Sequence, residues 1–558
     1  MEEKKEFKYL LLLDTDKIKE YVFASSKLKE IRGASMLLEY LNTVESRKII
    51  YRQFNLEDTY DKDEHEQFRI LYLDGGSGKV EFNSEIDAKK CGKKIEETYK
   101  KWTQSASVTW EVVKVNNDNY YETVANGEFR VRVKKQKSKW GNSQQRNLGI
   151  TKRCSHCNSG DAENLEFILS NDFLPDEIKE QSLKTYKSLK NIYGEEYLIC
   201  RACYLKNVIL KHKTNKLLTR KIEKMYYQSG KIDWPNKLSV IGEHSNGEIG
   251  FLYFDGNNMN SILRELKQVK DFKEFSQNLK KSIEKALLET INEVFPYKSL
   301  KYTSEFQDNE DEQEIIQGEK EKRVLPFQVI LAAGDDLMLI VPSINAMDIA
   351  TIFQRKFAIA HDGKLTMSVG VAIAKSSFPI KYLAPFSEQL LRSAKSKNYE
   401  IKRENRLASW EELSTIDFMV LKMNSNPELI SIRTSQLTKK NDVNEEYYLT
   451  LRPYTYSQWN AIKDILLKMK YDKEAFPKSK MKSFYALHFM EHWEGRYYFG
   501  KYFANLPENQ RENLKALYQL FPKNSVQDCH WFKDKNKYYS PLIDVFEIFP
   551  YIEGGVKI

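Results

Sequence analysis

Leu331-Ala-Ala-Gly-Asp-Asp-Leu-Met-Leu-Ile340 sets apolar residues on both sides of Gly334-Asp335-Asp336. Two short apolar runs around a Gly-Asp pair predict a β-hairpin with two carboxylates at its tip. Runs this apolar suit strands buried on both faces. Adjacent carboxylates at the end of such a hairpin repel each other unless a cation stands there. Hard oxygen ligands of this kind suit Mg²⁺ or Mn²⁺, which take a few carboxylates together with substrate phosphates. Taken alone, the stretch is equally a polar hairpin turn that holds two Asp.

Upstream, Ile249-Gly-Phe-Leu-Tyr-Phe-Asp255-Gly-Asn-Asn-Met-Asn-Ser-Ile-Leu263 reads as an apolar strand ending in Asp, followed by a helix start. A second strand-end carboxylate beside the hairpin would complete a metal-binding set. The order β-Asp-α followed by β-Gly-Asp-Asp-β resembles the palm of nucleotide cyclases and polymerases. In that fold, cations activate a 3′-hydroxyl and neutralise the triphosphate under attack.

The same order occurs earlier in the chain. Tyr9-Leu-Leu-Leu-Leu-Asp14 parallels the strand ending at Asp255, and Lys27 to Asn42 has a helical apolar pattern after an expected break near Gly33. Phe68 to Phe82 predicts a second hairpin, with Gly75-Gly76 at its turn. The strand near Val108 parallels Leu365 to Ala374. The chain therefore reads as two copies of one βαββαβ unit. The first has Ser77-Gly78 where the second has its carboxylates, so it is expected to be a poor metal site that holds a nucleotide without reacting.

Between the copies stand Cys154-Ser-His-Cys157 and Cys200-Arg-Ala-Cys203. Each Cys-x-x-Cys makes a knuckle, and two knuckles complete tetrahedral thiolate coordination of Zn²⁺ in a closed, structural site. His156 and His212 could replace a cysteine, but four Cys are simpler. Ahead of the first knuckle, Arg130 to Trp140 is basic with an aromatic, which suits RNA phosphate and, more readily, a solvated strand edge. Gln307 to Lys322 is acidic, poor in apolar residues and reads as a mobile insertion. Phe386 to Lys397 is an amphipathic helix with Lys395 near its end, placed to reach a triphosphate or simply to meet the helix dipole. From about Ser425 the pattern becomes helical. His488 and His492 lie four apart there, with no further ligand evident.

At 558 residues the chain is long enough for several domains, and a formal net charge of +9 permits nucleic-acid contact without demanding it. No apolar run reaches the roughly 18 residues of a membrane span. The charged start lacks the core of a signal peptide, so cytoplasm is the expected location and no membrane partner is expected. The boundaries expected are 1–150 for a first, degenerate palm, 151–245 for a zinc-binding and helical linker, 246–424 for a second, catalytic palm and 425–558 for a helical C-terminal domain. The fold class is α+β: two ferredoxin-like, GGDEF-type palms, an inserted zinc-ribbon module and a helical end.

Taken together, the chain resembles the large subunit of type III CRISPR effector complexes, the Cas-ten polymerase/cyclase family, nearest its Cmr-type branch. The marks are Lys27-Leu-Lys-Glu-Ile-Arg-Gly-Ala-Ser35, Gly75-Gly76, the two knuckles, Asp255, Gly334-Asp335-Asp336, Ala394-Lys395 and Arg452-Pro-Tyr454. The resemblance implies ATP bound between two palms, with Asp255, Asp335 and Asp336 as catalytic ligands of Mg²⁺ or Mn²⁺. It implies Lys395 on the triphosphate, and Gly75, Gly76, Asn258 and Gly334 in nucleotide binding. It also implies other complex subunits, guide RNA and target RNA as partners, and an adenylate messenger as product. Cyclic oligoadenylate and an adduct with S-adenosylmethionine both remain open. Three departures stand out. The first palm strand begins within ten residues of Met1, which leaves no room there for an HD nuclease, so no DNase activity is expected. Ala333 stands where the family has a first glycine, and Asn257 where a second acidic residue is common. The competing function is a catalytically silent scaffold of the same complex.

Overall fold

A computed structural model describes residues 7–57, 62–116, 118–137, 152–170, 178–194, 197–211, 218–227, 229–302, 322–422, 428–441, 444–472, 475–521, 526–528 and 530–553. The acidic stretch read as an insertion, His212 and the end of the basic run fall almost wholly outside them. The chain forms two compact units: residues 1–240, 258–288 and 300–338 make the first, and 241–257, 289–299 and 339–558 the second.

In the first unit, the all-leucine centre of β1 (Tyr9–Thr15) is buried on both faces. It pairs antiparallel with β3 (Ser77–Phe82) on one side and with β4 (Val108–Lys114) on the other. With β2 (Phe68–Asp74) the sheet order is β2-β3-β1-β4. Helix α1 (Leu28–Tyr40) follows β1, and α2 (Glu85–Thr103) joins the hairpin to β4. The Ser84 side chain caps α2 by accepting from the Asp87 N–H. Helix α3 (Tyr120–Lys137) follows β4 and packs Val124 and Val131 against Leu10, Leu12 and Val113.

Two readings change here. Helix α1 is unbroken at Gly33, because the glycine serves a crossing and not a turn. A Cβ at Gly33 would stand 1.9 Å from the Lys206 carbonyl on the helix Arg201–Ile209. The helix that carries Cys203 therefore lies directly on α1. The basic run to Lys137 is the end of α3, not a strand edge. Its lysines are used inside the unit: Lys134 donates to the Trp110 carbonyl at 2.7 Å, and Lys135 meets Asp14. Alternating Val and basic residues mimic a strand, but here they lie on a helix whose last turn favours cations.

The second copy runs β5 (Glu248–Gly256), α4 (Val269–Val294), β6 (Gln328–Ala333), β7 (Asp336–Pro342), α5 (Ala346–Ala360), β8 (Met367–Lys375) and α6 (Ile380–Glu404). Its strand order, β6-β7-β5-β8, repeats that of the first copy, with β9 (Thr415–Val420) and β10 (Tyr454–Thr455) added beyond β8. The β6–β7 turn belongs to the first unit, and most of β7 to the second. Strands β5 and β8 pair antiparallel, setting Asp255 opposite Ser368.

The rest of the second unit is helical, with helices Tyr456–Tyr471, Lys478–Leu487, His492–Ala504 and Glu508–Gln519. It also holds a five-stranded sheet of short strands, in the order Thr438–Lys440, Glu446–Tyr448, Lys537–Tyr539, Trp531–Asp534, Val526–Asp528. Arg452 fixes this region to the palm. Its guanidinium, 1 % exposed, pairs with Asp544 at 2.9 Å and Glu547 at 2.7 Å and donates to the Phe418 carbonyl on β9. His488 is a core residue: its ring nitrogens contact the Phe484 carbonyl and the Ser540 hydroxyl. Among the described residues, no helix is long and apolar enough to cross a membrane.

Candidate active site

Two glycine turns come together in the first unit. In the turn Asp74-Gly75-Gly76-Ser77 both central residues have positive φ, 63° and 82°, the pattern of a type I′ hairpin. In the turn Ala333-Gly334-Asp335-Asp336 Gly334 has φ 63°, whereas Ala333 and Asp335 have ordinary negative values. The departure at Ala333 is therefore harmless to the hairpin, since the position never enters the left-handed region. A Cβ at Gly75 would stand 2.6 Å from the Gly334 backbone nitrogen. Only glycine lets these two turns approach so closely. By hairpin position, Gly76-Ser77, and not Ser77-Gly78, correspond to Asp335-Asp336. The first copy still lacks a carboxylate at both places.

Beside the turns, a cleft is lined by Ser35 and Glu39 of α1, by Asn42, by Gly75 and Gly76, and by Thr219. Of the motif read in the sequence, Ser35 thus faces this cleft, while Arg32 is buried and donates to the Pro235 carbonyl and the Gln328 side chain.

Asp255 stands in the second unit, at the end of β5, with its side chain about a quarter exposed. Lys395 of α6 donates to its Oδ2 and, at 3.0 Å, to the Gly256 carbonyl. The first copy builds the same corner. Lys135 of α3 pairs with Asp14 at 2.8 Å and donates to the Thr15 carbonyl at 3.1 Å. In each copy, a lysine from the helix after the last palm strand holds the strand-end Asp and the next carbonyl. Burial lifts the Asp14 carboxyl above its usual range while Lys135 pulls it down. The sequence carried this signal at Asp14 and at the helix after β4, but the reading of 130–140 as a strand edge concealed it.

Asn257 does not face a metal. It is 4 % exposed, donates to the Thr366 hydroxyl and the Leu413 carbonyl at 3.0 Å each, and accepts from Ser368 at 2.8 Å. The position requires an amide that donates and accepts. An Asn257→Asp variant is expected to lose about 2–3 kcal/mol of stability, because a buried carboxylate would face a carbonyl it cannot bond. A urea titration would show this as a lower midpoint, and Mg²⁺ affinity would not rise. Asn258, in the left-handed region at φ 58°, starts the helix Met259–Glu265.

Asp335 lies in the turn and Asp336 opens β7, so the three carboxylates are divided between the units: Asp335 and Asp336 in the first, Asp255 in the second. Their oxygen donors suit a hard divalent cation.

Among the described residues, Cys154, Cys157, Cys200 and Cys203 form a metal-ligating group, with sulfurs all within 4.8 Å of one another. Three of the sulfurs accept backbone N–H groups, from His156, Gly160 and Cys203, which stabilises thiolate charge. The donor set fits a closed tetrahedral Zn²⁺ site.

Residues 248–407 match the family model described as Cas10/Cmr2, second palm domain. The matched segment contains Asp255, Asp335, Asp336 and Lys395. No curated protein matches the chain in sequence. Among solved structures, Csm1 of T. onnurineus shares the fold at a TM-score of 0.53 and 14 % identity, over 99 % of this chain and 70 % of that one. The Csm1–Csm4 cassette in complex with cA4 does so at 0.52 and 14 %, over 93 % of this chain and 68 % of that one. The same cassette with AMPPNP gives 0.51 and 14 %, over 94 % and 66 %. At such identities the likeness is one of fold. The sequence pointed nearest the Cmr-type branch; the solved chains named here are Csm1.

Proposed function

We propose that this Cas10-type large subunit is a metal-dependent nucleotidyltransferase that converts ATP to an adenylate-linked messenger in antiviral defence. One observation carries the reading: the segment that matches the Cas10/Cmr2 second palm holds all three candidate metal carboxylates and the lysine beside one of them. Asp255, Asp335 and Asp336 are the residues that would hold Mg²⁺ or Mn²⁺, which supplies charge neutralisation and hydroxyl activation when bound. Lys395, now on Asp255, is within reach of a triphosphate arriving at that carboxylate. The backbone turns at Gly75-Gly76 and Gly334, with Asn258, offer close approach to the nucleotide.

The product is a cyclic oligoadenylate, or an adduct if S-adenosylmethionine is the acceptor. The solved Csm1–Csm4 cassettes bind cA4 and AMPPNP, which supports an adenylate chemistry here. Partners are the other subunits of a type III CRISPR complex, with guide and target RNA reached through them, and the work is cytoplasmic. The zinc module is structural. The second reading, a silent RNA-binding scaffold, draws on the first copy, whose hairpin carries no carboxylate at the positions of Asp335 and Asp336.

Turnover with product mass spectrometry separates the two. The protein, alone and in its complex with guide and matching target RNA, is supplied with ATP, Mg²⁺ or Mn²⁺, and S-adenosylmethionine in a parallel arm. A new adenylate product that depends on target RNA is expected, and its mass names the acceptor. No product and no pyrophosphate across both metals would leave the scaffold.

A further inference from the structure

Helix α6 does not stop at the candidate site. Lys395 holds Asp255, and the helix ends at Glu404, about 13 Å further on at 1.5 Å per residue. Leu391, Ala394 and Asn398 belong to its buried side. Lys395, Tyr399, Lys402 and Arg403 recur at the spacing of one helix face and form a separate stripe. Arg406 follows in the turn after the helix. Glu400 and Glu404 each lie about 100° round the helix from Tyr399 and Arg403. Past Lys395 the stripe therefore carries cations and one aromatic ring, and no acid.

Tyr399 is 57 % exposed, and Arg403 and Arg406 are exposed too. On a merely solvated helix face a cation finds an acid one turn away, as Lys89 finds Glu85 and Lys100 finds Glu96. Earlier on α6 itself, Arg392 pairs with Glu388 at 2.7 Å. The end of the helix is different. Among the described residues, the side chains of Lys402, Arg403 and Arg406 have no ion pair, although Glu400 stands one turn before Arg403. An exposed ring among unpaired cations is the make-up of a single-strand track: the ring stacks a base while the cations follow the phosphates. Lys395, Tyr399 and Arg403 are about 6 Å apart along the axis, so the track suits a short strand. It starts at the corner of Lys395 and Asp255, and all of it lies in the same unit as Asp255.

We propose that this stripe carries the linear oligoadenylate made at Asp255, with the Tyr399 ring against one adenine and Lys402, Arg403 and Arg406 on the phosphates. The assignment rests on the nucleotidyltransferase reading above and extends it to the nascent chain. By holding that chain the stripe delays its release, so that further additions follow.

The test uses the full chain with labelled tetraadenylate carrying a 5′-phosphate, the matching tetrauridylate, and AMPPNP with Mg²⁺. The wild type is expected to bind tetraadenylate about 3-fold or more tighter than tetrauridylate, because adenine stacks better. Arg403→Ala/Arg406→Ala is expected to weaken tetraadenylate about 10-fold. It should also flatten the slope of log affinity against log salt by about 1.4, at about 0.7 per lost phosphate contact. Tyr399→Ala is expected to cost about 5-fold or more, and Tyr399→Phe, which keeps the ring, less than about 2-fold. AMPPNP affinity should stay within about 2-fold in every variant, which also shows that each has folded. Variants that bind tetraadenylate as the wild type does would overturn the proposal. Tetrauridylate bound as tightly as tetraadenylate would also overturn it and make the stripe a contact for RNA strands in general. A wild type that binds AMPPNP but no tetraadenylate removes the track and leaves the nucleotidyltransferase reading standing. A wild type that binds no AMPPNP removes that reading, and the product track with it.

Discussion

Replacing Asp335 and Asp336 together by alanine is expected to reduce adenylate product formation by about 10³-fold or more, a loss of roughly 4 kcal/mol of transition-state stabilisation. Two of the three candidate carboxylates for Mg²⁺ or Mn²⁺ disappear in this variant, and with them the charge that holds a cation against the reacting phosphate. The fold is expected to survive. The turn is set by Gly334, which stays in its left-handed conformation, and neither Asp has a positive φ that alanine would strain. A melting midpoint within about 2 °C of the wild type, with product lost in the mass spectrum, is the expected pair of results. Mg²⁺-dependent ATP binding should weaken in parallel. The scaffold reading expects something different: the variant and the wild type would behave alike, with no product and no Mg²⁺-dependent binding from either.

The second large effect concerns the cysteines. The double variant Cys157→Ser/Cys200→Ser is expected to lose Zn²⁺ entirely, against one ion per chain in the wild type. Structural Zn²⁺ contributes about 10–16 kcal/mol to the folding of small zinc modules, so the region from about 152 to 211 should unfold locally. Damage is expected to spread to α1. The carbonyl of Lys206 lies against Gly33, its ammonium donates to the Tyr21 carbonyl at 2.8 Å, and Asn207 donates to Glu30 at 3.2 Å. These contacts anchor the helix that carries Ser35 and Glu39. Zinc release on thiol modification, followed colorimetrically, gives the stoichiometry. Limited proteolysis shows whether new cuts fall inside the module. A wild-type chain that holds no zinc, or a variant as resistant to protease as the wild type, would overturn the assignment.

The palms were legible because their strands are extreme. Tyr9 to Asp14 and Ile249 to Asp255 are apolar without interruption, and strand-end Asp and glycine turns punctuate them. Both hairpins, both strand-end carboxylates and the four-cysteine group could be read from short, local patterns. The five-stranded sheet near the C-terminus could not. Its strands are three or four residues long, rich in Lys and Tyr, and the pairing of Glu446–Tyr448 with Lys537–Tyr539 joins residues about ninety positions apart. No period-2 signal survives at that length. The stacks of Tyr447 on Tyr538 at 4.7 Å and Tyr448 on Tyr539 at 5.0 Å exist only after the chain has closed. The cleft residues were missed for a related reason. Glu39, Asn42 and Thr219 are ordinary polar residues in helical sequence. What distinguishes them is that the fold brings all three to the lining of one cleft.

The corner of lysine, aspartate and following carbonyl has a bearing on history. Lys135 with Asp14 and Thr15, and Lys395 with Asp255 and Gly256, are each closed within one copy and need nothing from the other. The simplest descent for two such matching corners is a single ancestral palm that already possessed one before its gene was doubled. On that descent, what now separates the copies, carboxylates at one hairpin tip and Gly76-Ser77 at the other, arose after the doubling.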